Sequence, residues 1–149
     1  MIIKCKNTIR QITDSTRKKK NINEAQITIG VNYIVISVEI RLQHSDRSGP
    51  IRCWIIDDNG LLMPYNSDNF SVVDGYIPKS WIYVERGEGM DICHEKWGRE
   101  FYLNDYFDEL DTELEYNEVI RNLYRESLEN SGIDKGALNL PEIGVSGLK

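Results

Sequence analysis

The residues of this chain that could do nucleophilic or metal chemistry are few: Cys5, Cys53, Cys93, His44 and His94. None of them forms a Cys-x-x-Cys or His-x-x-x-His pair, the spacings that bring two metal ligands together. Cys93 and His94 are adjacent, but neighbours on a strand point to opposite faces, so they do not form a nucleophile and its base. The sequence therefore predicts no catalytic residues, no cofactor and no metal site, and an enzyme ranks behind the binding functions.

A possible calcium loop begins at Asp57. A calcium loop needs Gly at its sixth position and a bidentate Glu at its twelfth, but from Asp57 these positions are Leu62 and Asp68. Asn59-Gly60 between two apolar runs instead favours a β-hairpin with a two-residue type I′ loop, because both central residues need positive φ. We predict a turn here.

An acidic and aromatic segment is the strongest candidate for a binding site. It contains Asp105, Tyr106, Asp108, Glu109 and Asp111. Acidic patches steer the association of basic partners, and aromatic side chains carry much of the binding energy at interfaces. We predict that these residues contact a basic protein partner. The alternative is that the carboxylates only favour the positive end of a helix dipole.

Charge is distributed unevenly along the chain. The net charge of −6 argues against general nucleic-acid binding, which depends on Lys and Arg neutralising phosphates. Residues 1–20 nevertheless carry seven basic residues against one acidic residue, and residues 100–118 carry eight acidic residues and no basic one. Within the polar stretch from Asp14 to Glu24, the run Arg17-Lys-Lys-Lys20 is interpreted as part of a solvated connection, with an anion or RNA contact as the alternative.

Short runs of β-branched and aromatic residues, separated by turn residues, predict strands. They are Ile27–Leu42, Ile51–Ile56, Leu61–Tyr65, Phe70–Val73, Trp81–Val84 and a short one at Met90–Cys93. Strands of this length and spacing are typical of a small antiparallel barrel or sandwich. Residues 1–12 fit either a strand or a short helix.

The apolar period changes to that of a helix after residue 112. Apolar side chains recur there at three- and four-residue spacing, and the predicted helix covers about 113–130. The fold class is thus α+β, mainly β. We predict one domain over 1–131, with a β core at about 27–84, and an irregular tail over 132–149 because glycines interrupt its apolar pattern.

Part of the β core resembles a known group of proteins. The residues are Gly30-x-x-Tyr33-x-Val35, Ile55-Ile-Asp-Asp-x-Gly60, Tyr65 and Phe70-x-Val-Val-Asp-Gly-x-Ile-Pro-x-x-Trp81. This pattern resembles small bacterial proteins with an SH3-like β-barrel, including immunity proteins that neutralise polymorphic or contact-delivered toxins. The resemblance covers about 27–84 and implies a small SH3-like antiparallel barrel or bent sheet.

The functional hypothesis follows from this resemblance. It implies a non-enzymatic protein that binds a cognate toxin directly, and the acidic segment suits a basic toxin domain. The alternative is an SH3-like regulatory or adaptor module that binds a peptide or RNA. No run approaches the roughly 20 apolar residues that span a bilayer, and no secretory signal is recognisable at the N-terminus, so we expect a cytoplasmic protein without a membrane partner.

Overall fold

The structure is built around one long strand, β4 (Asn32–Arg41). The computed structural model describes residues 1–13, 16, 18–41, 50–87, 89–98, 110–134, 136 and 138–139, with the backbone alone for 10–13 and 110–116. The other strands and the helix are β1 (Ile2–Cys5), β2 (Ile9–Thr13), β3 (Lys19–Asn23), β5 (Ile51–Ile56), β6 (Leu62–Asn66), β7 (Phe70–Asp74), β8 (Trp81–Arg86), β9 (Gly89–His94) and α1 (Leu110–Asn130). A 3-10 turn, Ser67–Asn69, lies between β6 and β7.

β4 has different neighbours on its two edges. One edge pairs with β5 along most of its length. The other edge is shared, because β1 pairs with the first part of β4 and β9 pairs with the second part. β7 lies beyond β1, β8 lies beyond β9, and β6 lies beyond β5. The sheet therefore divides into two branches along one edge of β4, and each strand pair in it is antiparallel.

The predicted fold class is confirmed: the protein is mainly antiparallel β sheet with one C-terminal helix. Each strand predicted between 27 and 93 overlaps an observed strand. Among the described strands, pairing ends at β6 on one side and at β7 and β8 on the other. The described sheet is not closed, so a barrel is not confirmed.

The core is formed where the first half of β4 meets its neighbours and α1. Tyr33, Tyr65 and Phe70 pack edge to face, with ring centroids 6.2 and 6.4 Å apart. α1 buries Val119, Ile120, Leu123 and Tyr124 against this cluster. Their spacing of one, three and four residues forms one helix face, as the sequence predicted. Each buried side chain of this size contributes about 1.5–3 kcal/mol, so this face fixes the helix.

Two local predictions need correction. The stretch Asp14–Glu24 is not only a connection, since Lys19–Asn23 forms β3 and pairs with β2. Strand formation depends more on pairing than on intrinsic preference, so the Lys and Asn residues of β3 gave no strand signal in the sequence.

The loop after Asp57 is not the predicted two-residue type. Asp57 N–H donates to the Leu61 carbonyl, and Gly60 N–H donates to the Asp57 carbonyl. Gly60 has a positive φ, +78°, in this longer loop.

The C-terminal elements extend beyond their predicted limits. α1 begins at Leu110 instead of about 113, within the usual uncertainty of helix ends. Within the stretch predicted as an irregular tail, Leu138 is buried in the core. Asn139 N–H donates to the Asn32 carbonyl over 2.8 Å, and its side-chain amide donates to the Ile56 carbonyl over 3.2 Å. This short stretch therefore packs where β4 begins and β5 ends.

Candidate functional site

The second half of β4 has β5 on one edge and β9, followed by β8, on the other. Residues directly opposite each other on antiparallel strands share a face, and successive residues alternate between faces. Glu39 is opposite Arg52 on β5 and Asp91 on β9. Ile40, the next residue, is opposite Ile51 and Met90. A charged row and an apolar row therefore lie on opposite faces of the same strands.

The charged row is part of a group of side chains that we call the ionic cluster: Glu39, Arg41, Arg52, Arg86 and Asp91. Glu39 Oε1 accepts hydrogen bonds from Arg41 Nε and Arg52 Nη2, and Glu39 Oε2 accepts one from Trp54 Nε1 over 3.0 Å. Asp91 Oδ2 accepts from Arg86 Nε over 2.5 Å. These bonds join β4 to β5 and β8 to β9, and charge-assisted hydrogen bonds of this kind are stronger than neutral ones.

The two buried carboxylates of the ionic cluster have pKa values that are shifted in opposite directions. Glu39 is 6% exposed and Asp91 is 4% exposed. Burial raises the pKa of Glu39, but the hydrogen bonds from Arg52, Arg41 and Trp54 together outweigh it and hold the pKa below its usual value. Burial also raises the pKa of Asp91, and there the bond from Arg86 does not compensate, so the pKa stays above its usual value. At each carboxylate, the balance between burial and the hydrogen bonds that it accepts decides whether the pKa is raised or lowered.

The chain that follows β9 turns back over this charged face. Residues 95–98 form a short helical turn, and Trp97 within it is buried. The Gly98 carbonyl accepts a hydrogen bond from Arg86 Nη2 over 2.8 Å. A Cβ at Gly98 would lie 2.7 Å from a methyl carbon of Val84 and 3.1 Å from the Cys93 sulfur, so the backbone itself lies against the sheet. This contact explains how charged residues on a sheet face come to be buried.

The opposite face carries an apolar strip, formed by Ile40, Ile51, Met90, Ile92 and Tyr83. Ile92 is opposite Tyr83 on β8, and Met90 is opposite Ile40 on β4. Tyr83 is 54% exposed and Ile51 is 38% exposed, while the other three side chains are half-buried. Glu85, opposite Met90, is exposed at the edge of the strip. The strip is thus a continuous apolar surface across four strands, with a charged residue at its border.

This end of the sheet reverses the usual distribution of polar and apolar side chains. Single exposed apolar residues are common on protein surfaces. Buried charged groups are rare unless they are paired, and contiguous exposed apolar patches often mark interaction sites. Here they lie back to back on the same strands. Hydrogen bonds of the ionic cluster link the strands behind the apolar surface and so support their register. Such a surface suits the binding of another macromolecule.

The acidic segment predicted as a binding site lies almost entirely outside the described residues. Asp105, Tyr106, Asp108 and Glu109 all fall there. Asp111 lies in the first turn of α1, where the backbone alone is described. The predicted contact surface stays a prediction.

Two other sequence predictions can be compared directly. Cys93 is buried, while His94 is half-buried and its Nδ1 accepts a hydrogen bond from the Lys96 backbone N–H over 3.1 Å. Cys93 and His94 lie on successive positions of β9, as the argument against a catalytic pair assumed. Asp57 is buried, and its carboxylate accepts from the backbone of Asn59 and Leu61 and from the Tyr65 hydroxyl. It stabilises a turn, as predicted.

The ionic cluster and the apolar strip were missed by sequence reasoning. A signal was present: Glu39 and Arg41 interrupt an otherwise apolar strand, and Arg52 lies next to the apolar Cys53-Trp54. A charge in such a strand indicates either an exposed face or a buried ion pair, and the sequence does not show which strand supplies the partner.

Comparison with known proteins adds no relative. The chain matches no protein-family model, no curated protein and no solved structure. In the described part of the chain, no group of three or more His, Cys, Asp or Glu side chains is placed to hold a metal ion. In the part of the chain that the structure describes, no helix is both long enough and apolar enough to cross a bilayer.

Proposed function

We propose that this protein is a non-enzymatic binding protein of the bacterial immunity type, which neutralises a cognate toxin by direct contact in the cytoplasm. The apolar strip is the observation that carries the proposal, because it is an exposed apolar surface on strands that the ionic cluster links. The resemblance of residues 27–84 to SH3-like immunity proteins supports the class of function, and the bent sheet would then be an open variant of that barrel.

The strip has the properties of a protein-binding surface. Interfaces concentrate their energy in a few aromatic and aliphatic anchors, and Tyr83 combines a large apolar ring with a polar hydroxyl. A surface already held in its bound shape loses little conformational entropy on binding. Glu39, Arg52 and Asp91 support the strand register from the opposite face of the strands. We infer that Tyr83, on the outer strand of the strip, is the main anchor and that Glu85 lies at the rim.

The acidic segment has a separate part in this proposal. Its carboxylates would attract a basic toxin over a distance, while the apolar strip supplies the close contact. Long-range attraction acts mainly on the association rate, whereas buried contacts act on dissociation. Changing Asp105→Lys with Asp108→Lys should therefore slow association, weaken its salt dependence and leave the dissociation rate close to that of the wild type.

The direct test uses the protein encoded by the neighbouring reading frame, because immunity proteins are encoded beside their toxins. Co-expression should rescue growth of cells that produce this neighbour, and the two proteins should co-purify. The change Tyr83→Lys should abolish rescue, since a charge within an apolar interface is left unpaired. Leu61→Lys is the matched control, because Leu61 is also an exposed apolar residue, at 58%, but lies on the β5–β6 loop.

Two results would contradict the proposal. A neighbour that is harmless to cells and does not bind would remove the immunity function. A neighbour that binds Tyr83→Lys and Leu61→Lys with equal affinity would place the interface away from the apolar strip.

A further inference from the structure

A second surface, separate from the apolar strip, is the hairpin of β2 and β3, which we call the basic ribbon. Five residue pairs join its strands, from Ile9 opposite Asn23 to Thr13 opposite Lys19. At its base, Glu24 N–H donates to the Thr8 carbonyl over 2.7 Å, and the Asn7 side chain bonds both backbone groups of Ile9. Neither β2 nor β3 pairs with another described strand. The ribbon is therefore a small sheet of its own.

The described side chains of the basic ribbon lie outside the hydrophobic core. Between Cys5 and Ile27, no residue whose side chain is described, a set that excludes 10–13, belongs to the core. Ile9 is 53% exposed although it is apolar. A two-stranded hairpin without packing on one face is only marginally stable in water. A hairpin outside the main sheet that exposes an apolar residue and several lysines is more easily explained by binding than by folding.

The charges of the ribbon lie on both of its faces. Lys18, Lys19 and Lys20 are all exposed. Lys19 and Lys20 are successive strand residues, so their side chains leave opposite faces of the ribbon. Lys4 and Lys6, in β1 and just after it, are exposed as well. A protein with a net charge of −6 thus exposes several lysines on its small two-stranded sheet and on the β1 segment that leads to it.

We propose that the basic ribbon binds double-stranded DNA by entering its major groove. A partner that neutralises both faces of a ribbon must have negative charge on two sides of it, and the phosphates on the two walls of a groove provide this. An acidic protein surface would reach one face only. The major groove of B-form DNA is about 12 Å wide and admits a two-stranded β ribbon, whereas the groove of double-stranded RNA is too narrow. Five paired residues extend about 17 Å, which is enough to cross it.

This inference is independent of the toxin-binding function, because it uses a different surface and a different partner. It also does not require a basic protein overall. Contacts to phosphates are local, and each one releases a counterion whatever the charge of the remaining surface. The acidic remainder of the molecule would orient the ribbon towards DNA.

The test measures fluorescence anisotropy of a labelled 16-base-pair DNA duplex at about 50 mM salt and above. We expect the full-length protein to bind, with an affinity that falls steeply as salt rises. The double change Lys19→Gln with Lys20→Gln should weaken binding at least tenfold. It should also reduce the slope of log K against log salt by about 1.8, because each lysine that no longer neutralises a phosphate removes about 0.9 from the slope. The matched control is Lys79→Gln with Arg125→Gln, which removes the same charge from exposed positions outside the ribbon.

The variants should fold, since each changed side chain is exposed, and circular dichroism would check this. Three results would overturn the proposal: no binding to the duplex at 50 mM salt, equal losses of affinity in the ribbon and control variants, or binding to a poly-glutamate peptide as tight as to DNA. The last result would identify an acidic protein as the partner. A fourth result, tighter binding to double-stranded RNA than to DNA, would exclude the major-groove geometry.

Discussion

At the scale of single residues, the two buried carboxylates of the ionic cluster make opposite contributions to stability. Glu39 has a pKa below its usual value, so its ionised form is favoured by folding. This contribution is present above the unfolded pKa and is lost as the pH falls through the lower folded pKa. Asp91 has a pKa above its usual value, so it contributes stability at low pH and loses it as the pH rises through the folded pKa.

Substitution of these carboxylates by amides should separate the two contributions. Glu39→Gln should cost about 3 kcal/mol at pH 7, because Arg52 is left buried beside an uncharged side chain, and the cost should shrink as the pH approaches 3. Asp91→Asn should cost less at pH 7 than at pH 3, since it removes a charge that burial disfavours. Urea unfolding at both pH values measures these free energies. The same pH trend in both variants would show that the pKa shifts do not have the signs given above.

The three cysteines should be unreactive in the folded protein. Burial raises the pKa of Cys53 to about 11. Burial is also the largest cause of the raised pKa of Cys93, which is about 11, and of the raised pKa of Cys5. A thiol with a pKa near 11 is ionised to roughly one part in a thousand at pH 8, and the thiolate is the reacting form. We expect Ellman's reagent to detect no thiol within minutes in the native state and all three in denaturant. One rapidly reacting thiol in the native protein would contradict the described burial.

At the scale of elements, the close approach of β9 to β4 depends on Gly89. It pairs with Arg41, and a Cβ there would overlap the carbonyl oxygen of Ile40 and lie 3.2 Å from the Arg41 Cα. Gly89→Ala should therefore displace β9 and cost about 2 kcal/mol, the usual scale of overpacking. Gly132→Ala is the control, because its added Cβ would meet nothing within 4 Å. Thermal unfolding of both variants checks the prediction, and equal melting temperatures would refute it.

The elements themselves were largely predictable, and their pairing was not. Apolar runs bounded by Asn, Asp, Gly and Pro located β5 to β9, because those signals are local. The helix was located by its three- and four-residue spacing, which is also local. The division of the sheet at β4 depends on β1 and β9 meeting one edge of the same strand, and nothing within either segment encodes that meeting. For the same reason β3 was interpreted as a connection, since its lysines and asparagines form a strand only opposite Ile9–Thr13.

At the scale of the whole molecule, two surfaces with different chemistry are separated on one small fold. The apolar strip lies where the second half of β4 pairs with β5 and β9, and the basic ribbon extends from the end of β1. Charge asymmetry was visible in the sequence, because it requires only counting. The apolar strip was not visible in the sequence, because Ile40, Met90 and Tyr83 come from three strands and become neighbours only through the strand registers.

The most direct test of the central claim asks which side chains the partner covers. Hydroxyl-radical footprinting, in the presence and absence of the neighbouring gene product, measures the solvent access of individual side chains. The proposed function predicts that oxidation of Tyr83 and Met90 falls on binding, while that of Met63, which is exposed on β6 away from the strip, stays unchanged. Unchanged oxidation of Tyr83 and Met90 in a saturated complex would contradict the assignment of the apolar strip as the binding surface.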